Sequence, residues 1–203
     1  RAANGVILVT TRQGKEGKVQ LSYDGYLGWQ NVAKKPELLN AQQYMYVNDK
    51  IAEYDNTEPY DWENLLPAYL YNSLQNGSWN GTDWFNESLN KNAFVTSHAV
   101  NLTGGSDKSR FSMGFSYISQ EGIIGKPKTP ENQKYTFMVN SDHTLLKGNG
   151  FDIIKIGENL TFNYNKRNQI AIGDAFYNDV HNLLVATPLM PVYDQQGRYY
   201  DME

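Results

Sequence analysis

RAANGVILVTTRQGKEGKVQLSYDGYLGWQ, residues 1–30, sets two strand patterns of different kinds back to back. The first, Val6-Ile7-Leu8-Val9-Thr10-Thr11, is a continuous apolar, β-branched run with no solvent face, the pattern of a strand buried on both sides. Gln13-Gly14-Lys15-Glu16-Gly17 follows, a hinge with two glycines and two opposite charges that suits a mobile or sharply bent connection. The second pattern alternates. Val19, Leu21, Tyr23, Leu27 and Trp29 fall on one face, and Gln20, Ser22, Asp24, Tyr26 and Gly28 on the other. A buried strand thus hands over to a long two-faced strand with an aromatic end.

From Asn31 the alternation stops, and residues 31–92 read as one very long insertion between strands. Within it Asn40 is placed to cap a helix, with Gln43 completing a capping box and Tyr44, Val47, Ile51 and Tyr54 on one helical face. A second helix is expected over Asp61 to Leu74, interrupted or started afresh at Pro67. A Trp-rich connector, Gly77 to Phe85, closes the tract. Alternation then resumes. Phe94, Thr96, Val100 and Leu102 share a face, as do Phe111, Met113, Phe115 and Tyr117, then Tyr135, Phe137 and Val139, then Ile154, Ile156, Leu160, Phe162 and Tyr164. The opposite positions are Ser, Thr, Asn, Gly and other small or polar residues. A helical stretch is expected from Asp174 to Val185.

The connections alternate too: long (31–92), tight (Gly104–Ser109), long (Glu121–Asn132), tight (Lys147–Gly150), and long from Lys166 onward. Short turns at one end and long loops at the other are the layout of an outer-membrane barrel, and strands on the order of ten residues suit a tilted crossing. The fold class expected is therefore all-β, an antiparallel transmembrane β-barrel portion with helical segments in long extracellular loops. Trp29, Phe94, Tyr117, Tyr135 and Tyr164 all lie toward the long-loop end, where an interfacial girdle sits. His143 and Glu158 interrupt the apolar face, and folding back at Gly148-Asn149 brings them together, so they are expected to pair across the hairpin. An ordinary antiparallel sheet with one buried face shows the same alternation. A soluble carbohydrate-binding β-sandwich therefore stands as the alternative.

Composition bounds the function. Of 203 residues, 40% are hydrophobic, while the chain carries 15 Tyr, 4 Trp and 8 Phe, so aromatics at alternating positions supply much of the apolar surface. A net charge of -4 without a basic patch argues against nucleic-acid binding. The absence of cysteine excludes disulfides and thiolate metal sites. No apolar run approaches the ~18–20 residues of a membrane helix, which leaves a β-barrel open. The sequence enters a buried strand without a starting methionine and stops inside an apparent loop, so it is expected to be a piece of something longer.

Several segments resemble the SusC/RagA-type TonB-dependent outer-membrane transporters of Gram-negative bacteria. They are Arg1-Ala2-Ala3-Asn4-Gly5 with Val6 to Thr11, Gly14-Lys15-Glu16-Gly17-Lys18, Thr82-Asp83-Trp84-Phe85, Leu102-Thr103-Gly104-Gly105, Tyr117 to Ile123, and Ala186 to Tyr193. The resemblance implies that residues 1–14 close a plug domain. Residues 15–203 then begin a barrel of about 22 strands, with extracellular loops at 31–92, 121–132 and 166–203. It also implies residence in outer-membrane lipid and import of a glycan or, as second choice, a peptide. A SusD-like surface lipoprotein would act as lid, and a TonB complex would act through plug regions outside this chain.

No catalytic constellation appears, and no cofactor is implied. His98, His143 and His181 lie on separate elements without metal spacing, and no nucleophile elbow or phosphate loop is present. The ligand-contact candidates are the long-loop aromatics Tyr60, Trp62, Trp79 and Trp84, because flat aromatic faces stack on sugar rings. Packing of the long loop against itself is the competing role for all four.

Overall fold

The computed structural model describes residues 14–174 and 176–201. The apolar run Val6–Thr11 lies outside the described residues, as does the part of the hinge before Gly14. The chain forms two compact units. The first runs to Gln30 and takes in Asn92–Glu121 and Glu131–Gln169; the second comprises Asn31–Lys91, Gly122–Pro130 and the residues from Ile170 onward.

The first unit is one antiparallel meander of five strands, β1 (Gly17–Gln30), β2 (Ala93–Gly105), β3 (Ser109–Glu121), β4 (Glu131–Lys147) and β5 (Asp152–Asn168), paired in sequence order. The strands are longer than the ten residues expected. The register aligns the alternating residues into rows across the sheet. Tyr23, Val100, Phe115, Phe137 and Phe162 form one row, and Leu21, Leu102, Met113, Val139 and Leu160 the next. This face is bare: Leu21 is 71% exposed, Phe115 48% and Phe162 60%. No second sheet covers it among the described residues, so the β-sandwich alternative lacks its other half. β1 and β5 each keep an unpaired edge among the described residues, and the sheet is not closed.

The aromatic rows define a slope. Tyr117, Tyr135 and Tyr164 are in register, with ring centroids 4.8 and 6.0 Å apart. Trp29 and Phe94, 6.1 Å apart, sit level with Glu121, four residues farther along β3 than Tyr117. At the other end the step repeats in the same direction: Ser109 begins β3 level with His143, whereas β4 continues four residues farther, to Lys147. A step of about 14 Å along the strands over about 14 Å of strand spacings means the aromatic line crosses the strands at roughly 45°. That is the tilt a closed barrel demands of its strands.

His143 and Glu158 share the apolar face but do not pair directly. Ser141, 8% exposed, lies between them: its hydroxyl donates to Glu158 Oε1 at 3.0 Å and meets His143 Nε2 at 3.0 Å. Ser109 Oγ engages His143 Nδ1 at 2.8 Å. The expected pair is thus a bridged chain of four side chains, because the register sets Glu158 opposite Ser141 and His143 opposite Ile156. His98 is a third polar residue on this face. It is satisfied by the Tyr23 hydroxyl at 2.7 Å and Thr96 Oγ1 at 2.8 Å, and it stacks on the Tyr23 ring.

On the opposite, polar face the hinge is fastened. A Cβ on Gly14 would fall 2.5 Å from the backbone nitrogen of Phe111, so only glycine fits there. Glu16 approaches Arg110 at 3.7 Å. A cavity of about 200 Å³ beside Gly14 is lined by Arg110, Asn140, Asp142 and Asn159. These are polar-face residues of β3, β4 and β5.

The second unit is built from short helices: α1 (Ala41–Tyr54), α2 (Trp62–Leu65), α3 (Ala68–Gln75), α4 (Trp84–Glu87) and α5 (Asp179–Val185). The capping box on α1 forms as expected, with Asn40 Oδ1 accepting from Gln43 N at 2.9 Å and Gln43 Oε1 from Asn40 N at 3.0 Å. Its buried face is different from the expected one. Ala41 and Ala52 are buried, whereas Val47, Ile51 and Tyr54 are exposed. The second helix does restart at Pro67, giving α2 and α3. α5 begins five residues later than expected. Asp174 Oδ1 instead accepts from Phe176 N and Tyr177 N in a local turn, and Asn178 caps the helix. Among the described residues no helix is long and apolar enough to cross a membrane.

Candidate functional site

The second unit centres on two distant segments bonded to each other. Thr82 donates its backbone N–H to Pro188 O at 2.9 Å and its hydroxyl to Met190 O at 2.5 Å. The Trp84 indole donates to Thr187 O at 2.9 Å. Gly81, at φ +96°, makes the approach possible: a Cβ there would lie 2.8 Å from both Ala41 Cβ and Pro188 O. The small core of Ala41, Leu74 and Leu189 sits beside this junction, with Tyr44, Met45, Trp62, Leu66 and Trp79 packed on it. Thr82-Asp83-Trp84-Phe85 and Ala186 to Tyr193 are therefore two halves of one clasp, which explains the composition of both on packing grounds alone.

The four expected ligand-contact residues separate accordingly. Trp62 donates its indole N–H to Asp49 Oδ1 at 2.8 Å and packs on the core; Trp79 packs on the same core. Tyr60 lies over Trp62 with ring centroids 4.9 Å apart and is 50% exposed. Trp84 is tied into the clasp, yet its ring edge lines two neighbouring cavities. The structure stacks Tyr60 on Trp62, sets Trp62 and Trp79 on one core, and holds Trp84 in the clasp.

A different aromatic pair is presented to solvent. Tyr193 and Tyr199 face each other across an antiparallel bridge, with ring centroids 5.3 Å apart and planes within 29°. The turn between them is held rigidly. Asp194 N donates to Arg198 O at 2.7 Å, and Gly197 N, at φ +77°, donates to Asp194 O at 3.0 Å. Asp194 Oδ1 accepts from Gln196 N at 2.9 Å and Arg198 N at 2.8 Å, and Oδ2 accepts from Arg198 Nε at 2.8 Å. Desolvation alone would raise the Asp194 carboxyl pKa, but the bonds from Arg198 and Gln196 outweigh it and hold the pKa below its ordinary value. The Tyr199 phenol beside Tyr193 raises the Tyr193 pKa above its ordinary value.

The paired rings form one wall of a cleft of about 720 Å³, whose other walls include Trp84, Glu87, Lys91 and Lys126. A more apolar cavity of about 410 Å³, with Ile124, Ile170, Leu183 and Met190, shares Trp84 and Lys126 with it. Sequence reasoning missed Tyr193 and Tyr199. The available signal was the turn sequence Asp194-Gln195-Gln196-Gly197-Arg198 between two tyrosines, which marks a rigid two-ring hairpin.

His98 and His143 belong to the sheet's apolar face, and His181 lies in the first turn of α5. Among the described residues no group of three or more His, Asp or Glu could hold a metal ion.

No protein-family model matches the chain. Individual proteins do. The chain is 27% identical over 200 residues to the TonB-dependent receptor SusC of Bacteroides thetaiotaomicron, covering 98% of this chain and 17% of the relative. To the TonB-dependent receptor P26 of Formosa agariphila it is 29% identical over 203 residues, covering 98% and 18%. It thus spans less than a fifth of these relatives. In fold it is similar to the RagAB peptide transporter, with a TM-score of 0.72 at 16% identity, over 99% of this chain and 24% of that one. The RagAB peptide importer in the open-open state gives 0.71 at 16%. Likeness in sequence to TonB-dependent receptors such as SusC and likeness in fold to RagAB, each over nearly the whole chain, both support a fragment of the SusC/RagA type.

Proposed function

We propose that this chain supplies the start of the wall of a TonB-dependent importer of nutrients, with oligosaccharides as the cargo. Residues 1–14 close the plug. Residues 15–203 begin the barrel, with 31–92, 121–132 and 166–203 as extracellular loops. A SusD-like lipoprotein covers the mouth, and a TonB complex supplies energy through plug regions outside this chain. The observation that carries the reading is the sheet itself: rows of exposed Leu, Val, Phe and Tyr on one face, polar residues on the other, and an aromatic line at roughly 45° to the strands. Water is a poor solvent for such a face, and lipid is a good one. Oligosaccharide cargo is supported by the stacked, solvent-exposed Tyr193–Tyr199 pair, because exposed aromatic rings stack on sugar C–H faces.

Peptide cargo is the second reading, favoured by the fold likeness to RagAB, whose described cargo is peptide. The test uses cells carrying the full-length receptor as their sole uptake route. Labelled oligosaccharides and labelled peptides are supplied with and without a functional TonB complex. TonB-dependent accumulation of oligosaccharide, reduced by Tyr199→Ala, is expected. Accumulation of peptide alone replaces the first cargo with the second, and accumulation that ignores TonB sinks the transporter reading.

A further inference from the structure

We infer that the cleft beside Tyr193 and Tyr199 selects saccharides carrying a carboxylate, such as uronic-acid oligomers. This rests on the transporter reading above and narrows its cargo. Two cations line the cleft, Lys91 and Lys126, and neither ammonium has a hydrogen-bond or ion-pair partner among the described residues. Three other lysines are paired with carboxylates, Lys50 with Glu53, Lys147 with Asp107 and Lys155 with Asp142. In the cleft the only lining carboxylate is Glu87, so one positive charge is left over.

The backbone under Lys126 is fixed. Gly125 N and Lys126 N both donate to Ser88 O, at 2.9 and 3.1 Å. Lys91 follows Asn90, whose backbone N–H donates to Ile123 O at 3.0 Å. Two lysines against one glutamate along the cleft give it a net positive charge that favours an anion. The stacked tyrosine pair adds an aromatic wall. A ligand matching both walls has a ring with a C–H face and a carboxylate on its rim, the description of a uronate unit. A peptide held by its main chain would need free backbone donors and acceptors. The hairpin offers few, since Asp194 N, Gly197 N and Tyr200 N are all bonded internally.

The experiment uses the full-length receptor purified in detergent, with tetragalacturonate and its fully methyl-esterified form as probes. The two share ring and linkage and differ in charge. At about 0.05 M salt, where screening is weak, the acid is expected to bind about tenfold more tightly than the ester. The double variant Lys91→Gln/Lys126→Gln brings the two to parity, and Tyr199→Ala weakens both. Equal affinity of acid and ester in the wild type overturns the inference. So does a preference that survives the double variant, binding of neither probe, or tighter binding of an acidic tetrapeptide with the same lysine dependence. TonB-dependent uptake by cells carrying the same variants, and heat-modifiable migration of the purified receptor, test the transporter reading separately. A barrel that imports but shows no charge preference loses only the present inference.

Discussion

If the apolar face of the sheet meets lipid, an arginine should be costly at one residue and nearly free at the next. Val139 and Met138 provide the comparison. They are adjacent on β4, a strand bonded on both sides, and point to opposite faces: Val139 stands in the row of Met113 and Leu160, and Met138 in the row of Gly114 and Thr161. Backbone propensity and distance from the strand ends therefore cancel between Val139→Arg and Met138→Arg. Tyr135 marks the upper interface, and Val139 is four residues below it. Four residues are about 14 Å along the strand, or about 10 Å of depth at a tilt near 45°. Half of an apolar band ~25 Å tall is about 12 Å, so Val139 lies close to the midplane.

At that depth a lipid-facing arginine costs about 2–4 kcal/mol, whereas a lumenal one is a surface change of about 0.5 kcal/mol or less. The assay is unfolding of the full-length receptor in phospholipid vesicles by urea, read as loss of heat-modifiable migration. Since about 1.4 kcal/mol is a factor of ten, Val139→Arg should lower the folded-to-unfolded ratio by at least tenfold relative to Met138→Arg. Equal effects of the two variants, or a larger loss from Met138→Arg, would refute the assignment of the apolar face to lipid.

Three further outcomes follow from single contacts. Ser141→Ala removes the hydroxyl shared by Glu158 and His143, leaving both on the apolar face without it; a loss of about 1–3 kcal/mol is expected in the same urea assay, while Ser112→Ala on the polar face is near neutral. Trp84→Phe keeps the ring but loses the bond to Thr187 O, so the loop from Ala186 should open about fivefold more often by hydrogen exchange, about 1 kcal/mol, with exchange in β2–β4 unchanged. The Asp194 carboxyl has a folded pKa below its unfolded value, so its support of the Tyr193–Tyr199 hairpin is fully present above the unfolded value of about 3.9 and fades as pH falls through the folded one. Saccharide binding should hold steady from about pH 7 to 5 on account of this group; Asp194→Ala should weaken it throughout that range.

Much of the sheet was legible because a period of two is set by geometry and read directly: a strand exposing one face to a different solvent must alternate. Strand ends and the tight turns came from glycine-rich sequences. The α1 capping box was legible because both partners are local. The buried face of α1 was not. Its expected stripe follows the largest apolar residues, but the helix turns its two alanines inward. Asp49, near that side, is used by the Trp62 indole, a partner thirteen residues away. Close approach of backbones favours small residues, and pattern reading weighted by hydrophobicity overlooks that. The tryptophans' packing was not legible either: Trp62 and Trp84 stand out in the sequence as large loop residues, and each spends its N–H on a partner inside the protein. The solvent-facing rings, Tyr193 and Tyr199, were signalled in sequence only by the turn residues Asp194 to Arg198 between them, which the structure shows gathered by the Asp194 carboxylate.

The hinge that opens the chain also changes character. Two glycines and two charges suggest a loose connection, yet its described part is attached: Gly14 lies against the Phe111 backbone and Glu16 reaches Arg110. Both contacts are on the polar face of β3, so the chain reaches β1 by crossing the inner surface of its neighbours rather than around the edge of the sheet. In the proposed barrel that surface is the lumen. A plug ending at residue 14 would then be held at the wall two strands away from the one it is joined to. Any displacement of the plug during import would have to occur on the N-terminal side of this contact or break it. An exposed ion pair at 3.7 Å is a weak fastening, worth well under about 1 kcal/mol. The glycine contact is steric and independent of charge. The described part of the tether is therefore positioned mainly by shape.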